Sequence, residues 1–141
     1  MVALARDLLV QFAEEQSWTG RARLVEQAAS RFVEGGLAHG ERLAALDLFR
    51  LALYVAEPLV RRVLAESIKR SRDLPHDIVR ALAADIPEVS APFLAASPLL
   101  SEEELLPLVK SGGALRRAAI ACRSSLSNRL VEAIFGRTAA A

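Results

Sequence analysis

The residues 101–104, Ser-Glu-Glu-Glu, gather three carboxylates in one short run. Adjacent carboxylates can hold a cation or divide the roles of acid and base. The spacing favours something simpler. Ser101 and Glu104 match the S-x-x-E capping box, in which the serine oxygen takes the amide of the glutamate and the glutamate reaches back to the serine amide. Glu102 and Glu103 then fall in the first turn, where the helix dipole favours negative charge. A metal site would need further ligands converging from elsewhere, and the related stretches offer Asp77, Asn128 and little else. The reading here is helix capping by Ser101 and Glu104, with no metal and no cofactor.

The remaining reactive side chains are few. His39 stands beside a glycine, in an expected loop, and His76 stands in the first turn of an expected helix. Neither has a Glu, Cys or second His at ligand spacing, so zinc is disfavoured. His76 followed by Asp77 is too little for acid–base catalysis. Cys122 lies seven residues after Leu115, with Ala118 and Ala119 at three and four residues, which predicts a buried and inert thiol on an apolar helix face. There is no nucleophile elbow and no glycine-rich phosphate loop. The chain reads as a non-enzyme with no catalytic residue.

Arginine is the charged residue with the more suggestive placement. Arg61–Arg62 and Arg116–Arg117 occupy matching positions in two related segments, and Lys69, Arg70, Arg72, Arg80, Arg123 and Arg129 lie near them. Stacked equivalents would make a candidate interaction surface, or a basic stripe for a phosphate backbone. The plainer reading is a solvated face whose long side chains cover apolar surface. Ser90 and Ala91 interrupt the stripe in the intervening segment, and the net charge is only +1. Nucleic acid is therefore the weaker partner reading.

These side chains sit on helices. Leu and Ala supply most of the apolar residues and aromatics are only 5%, a composition that favours helix over strand. Leu4, Leu8, Leu9 and Phe12 predict an amphipathic helix over 2–15. Ser17 is a fitting N-cap for a second helix that ends at Gly35 and Gly36. Residues 41–56 are apolar on nearly every side and predict a buried helix. Further helices are expected over 58–70, 75–85, 87–96, 101–109, 113–123 and 127–136, with Pro58, Pro75 and Pro87 near helix starts. About nine short helices with short loops and no convincing strand follow.

The later helices repeat. Val60, Val89 and Leu115 align, as do Leu64, Phe93 and Ala119. In the second helix of each pair, Leu74, Leu100 and Leu126 precede the helix starters Pro75, Ser101 and Ser127. Val79, Leu105 and Val131 match, and so do Leu82, Leu108 and Ile134. The expected fold is all-α: an α-α superhelix of helix–turn–helix repeats in one domain, 1–141, of the kind that the resemblance below implies to be HEAT-like. Helices over 2–56 come first, then three repeats of about 26–29 residues over 57–137.

The segment "ALAADIPEVSAPFLAASPLLSEEELLPLV" resembles an uncharacterised bacterial family with HEAT-like repeats, common in alphaproteobacteria. Its pattern L-A-x-D-x-x-E-V-x-x-P-x-L-x-x-S-P-x-L-S-x-x-x-L is met by Leu82, Ala83, Asp85, Glu88, Val89, Pro92, Leu94, Ser97, Pro98, Leu100, Ser101 and Leu105. The stretches "GRARLVEQAASRFV" and "LRRAAIACRSSLS" fit the same style. The resemblance implies an N-terminal portion of a longer protein, and brings no activity or ligand.

One cysteine excludes an intrachain disulfide. The longest apolar run, Leu51–Ala56, is far short of a bilayer span, and no signal-peptide pattern opens the chain. A cytoplasmic scaffold or adaptor for an unknown protein partner is expected, with self-association through the helices of 2–33 as a further candidate.

Overall fold

The structure is a computed structural model describing residues 4–55 and 57–136. Those residues form nine α-helices and no strand. They divide into two compact units, one running up to Ile68 and the other from Lys69 onward.

The first unit holds α1 (Ala5–Glu14), α2 (Trp18–Glu34), α3 (His39–Val55) and α4 (Pro58–Ile68). Helix α2 packs on α4, α1 and α3, and α1 also packs on α3. Leu8, Phe12, Val25, Ala28, Leu48, Phe49, Leu64 and Ile68 are buried at their centres. Phe32 meets Phe49 edge-on, with ring centroids 5.5 Å apart. That arrangement sets a ring's positive edge against the other's negative face.

Helix α1 has no side-chain cap of its own, because Leu4 stands at its N-cap. Glu41 of α3 does that work from across the unit. The Ala5 N–H donates to its Oε2 at 2.6 Å, and Arg6 Nε meets Oε1 at 2.9 Å. Helix α2 is capped locally by Ser17, whose Oγ accepts the Gly20 N–H at 3.1 Å. Glu15 accepts from the Ser17 N–H and Oγ–H at 3.0 and 2.9 Å, and these bonds hold its carboxyl below the usual carboxylate range. Gly35 ends the helix at φ 80°, where a side chain would be strained.

Helix α3 corrects the expectation of burial on every side. Ala44, Ala45, Leu46, Leu48, Phe49 and Ala52 are buried, but Leu43, Tyr54 and Val55 are exposed. Its neighbours in the unit cover one broad side, and α1, at 10 residues, is shorter than the 17 residues of α3.

The second unit holds α5 (His76–Ala84), α6 (Pro87–Ala96), α7 (Glu102–Ser111), α8 (Ala114–Ala121) and α9 (Asn128–Phe135). Helices pack alternately: α6 against α8 and α7 against α9, with α5 on α6 and α7 on α8. Ile78, Val79, Leu82, Val89, Phe93, Leu94, Leu105, Val109 and Ile120 form the core. Helices α5, α7 and α9 have their N-caps at Pro75, Ser101 and Ser127. Pro75 precedes its helix rather than opening it, and its carbonyl accepts from Ile78 and Val79. The residue before each cap is Leu74, Leu100 or Leu126, and four residues past it stands Val79, Leu105 or Val131. These are the two positions that a hydrophobic staple pairs.

Proline shapes α6 and α7. Pro92 and Pro107 lie inside them and withhold the N–H groups that the carbonyls of Glu88 and Glu103 would accept. Between α7 and α8, Gly113 takes φ 89° and lets the chain reverse.

Candidate functional site

The acidic run forms the capping box its spacing predicts. The Glu104 N–H donates to Ser101 Oγ at 3.2 Å, and Glu104 Oε1 takes the Ser101 N–H at 3.1 Å. The other acids are also engaged. Glu102 accepts the hydroxyl of Ser127 and pairs with Arg129 at 2.8 Å, while Glu103 lies 3.8 Å from Arg129. Glu104 Oε2 lies 3.6 Å from His76 Nε2. Through Glu102 the first turn of α7 is thus tied to the start of α9. Sequence reading placed the cap but missed Glu102 as a cross-helix partner. Its local signal was absent, because Ser127 and Arg129 stand 25 and 27 residues away.

Among the described residues, no group of three or more His, Cys, Asp and Glu side chains is placed to hold a metal ion. His39 is the first residue of α3 rather than part of a loop, and it is exposed. His76 opens α5 with its side chain 62% exposed.

Cys122 is exposed, which overturns the buried reading. The expected face is split: Ala119 is buried, whereas Leu115, Ala118 and Cys122 are exposed. Leu115, Ala118 and Cys122 do share a stripe, but that stripe faces out, with Leu115 49% exposed. Ala119 and Ile120 face in, and Arg116 and Arg123 flank them half-buried. Cys122 is also the C-cap of α8, so the helix ends before it.

The flanking arginines hold α8 to the region of α6. Arg116 donates from Nε to Ser90 Oγ at 3.2 Å, and from its terminal nitrogens to the carbonyls of Asp85 at 2.5 Å and Gly112 at 3.0 Å. Arg123 donates to the carbonyls of Leu94 at 2.6 Å and Ser97 at 2.7 Å. The Leu94 carbonyl needs such a donor, since Pro98 four residues on carries no N–H. Burial pushes the Arg123 pKa down, yet a guanidinium remains charged in proteins. Ser90, which broke the basic stripe in sequence, is the acceptor for Arg116. The missed signal was spacing: Arg116 and Arg123 both stand 26 residues after a serine they bond.

The four arginines of the candidate surface are therefore unlike. Arg61 is half-buried and Arg62 exposed on α4, in the first unit. Arg116 is committed as above, and Arg117 on α8 is exposed, with its Nε on the Val109 carbonyl at 3.3 Å.

An open groove of about 320 Å³ in the second unit is lined by Leu106, Lys110, Arg129, Glu132 and Ala133. Its charges are mixed, and Arg129 is already paired with Glu102. In the first unit, Tyr54 (89% exposed), Val55 (45%) and Leu59 (53%) flank the α3–α4 connection. No helix among the described residues is long and apolar enough to cross a membrane.

The fold defines an all-α protein whose alternate helices pack in each unit. No family model, no curated protein and no solved structure matches the chain. The resemblance to the bacterial HEAT-like family rests on the sequence pattern alone.

Proposed function

We propose that the chain is a non-enzymatic helical scaffold that binds a protein partner through an apolar corner at the α3–α4 connection. The observation that carries this reading is the exposure of Tyr54 at 89%, with Val55 and Leu59, near it in sequence, also exposed. Large apolar side chains set together in water mark interaction surfaces, and tyrosine is enriched at such contacts.

The test is photo-crosslinking in the native cell from a reactive residue at position 54, with exposed Glu26 as the control position. The expected result is one discrete protein adduct from position 54, none from 26, and its loss in Leu59→Asp with unchanged helicity. The same adducts from both positions, or none from 54, would overturn the reading.

The finer architecture is also a proposal: α4 to α9 are three copies of one helix pair, in the manner of HEAT-like repeats. Its support is the even placement of the caps at 75, 101 and 127 and the 26-residue separation of the Arg116–Ser90 and Arg123–Ser97 contacts. The alternative function, nucleic-acid binding by Arg61, Arg62, Arg116 and Arg117, is weakened because Arg116 is spent on three protein acceptors.

A further inference from the structure

We draw no further inference here: the strongest candidate, the exposed apolar stripe of Leu115, Ala118 and Cys122 on the outer face of α8, is an unpartnered helix face, and nothing in the structure shows what covers it.

Discussion

Arg123 shows how much one side chain's role depends on where its neighbours place it. Its two bonds reach carbonyls at the C-terminal end of α6, where a cation also meets the negative end of the helix dipole. Hydrogen bonds from charged groups contribute about 1.5–3 kcal/mol each when desolvated. This side chain is only half-buried, so Arg123→Met is expected to destabilise by about 2 kcal/mol in all. Arg123→Lys should recover only part of that, because an ammonium cannot reproduce the fork. Exposed Arg62→Ala should fall within about 0.5 kcal/mol of the parent. Urea midpoints would measure all three, and equal midpoints for Arg123→Met and Arg62→Ala would contradict the bonding described. Cys122 gives a second prediction at this scale. Being exposed, its thiol should react with a thiol reagent in the native state as readily as after unfolding. Strong native-state protection would return it to the interior. Periodicity put Leu115, Ala118 and Cys122 on one face, but α8 has small residues on both sides. The helices packed on α8, α6 above all, decide that Ala119 and Ile120 turn inward.

Helix starts were legible in the sequence because caps are local. Ser17, Ser101 and Ser127 each accept a backbone N–H three residues ahead, and three residues suffice to recognise them. Burial was less legible because it depends on the other helices. Leu43 and Tyr54 have the composition of a buried helix, yet α3 has too few neighbours to cover them. The cap of α1 could not be read at all, since Glu41 arrives from another helix. The serine caps also differ in what surrounds them, and this yields a prediction. Ser101→Ala removes a cap and a hydroxyl bond to Glu104 of its own first turn, and should cost about 1–2 kcal/mol. Ser127→Ala loses both its cap and the hydroxyl bond to Glu102, so its cost should be about 1–2 kcal/mol. In a double-mutant cycle, Ser127→Ala and Glu102→Gln should couple, whereas Ser17→Ala and Glu102→Gln should add. Simple additivity in the first pair would remove Glu102 as a tie between α7 and α9.

At the scale of the whole chain, composition was the strongest guide. A chain rich in Leu and Ala and poor in aromatics builds helices, and five phenylalanines leave only a few large anchors for its cores. Phe12, Phe49 and Phe93 are buried to within 1% of fully. Phe49 belongs to the first unit, where it meets Phe32, and Phe93 belongs to the second, on α6. Each unit therefore has an anchor whose removal leaves a cavity among side chains of that unit. Phe→Ala at such a site costs about 3–5 kcal/mol, because packing closes the void only in part. Local amide exchange should distinguish the two substitutions. Phe49→Ala should lower protection first in α1, α2 and α3, and Phe93→Ala first in α5, α6 and α8. A uniform loss across all helices from either substitution would mean that neither core opens by itself. Gly→Ala at position 40, where an added Cβ would meet nothing, provides the control that should leave both patterns unchanged.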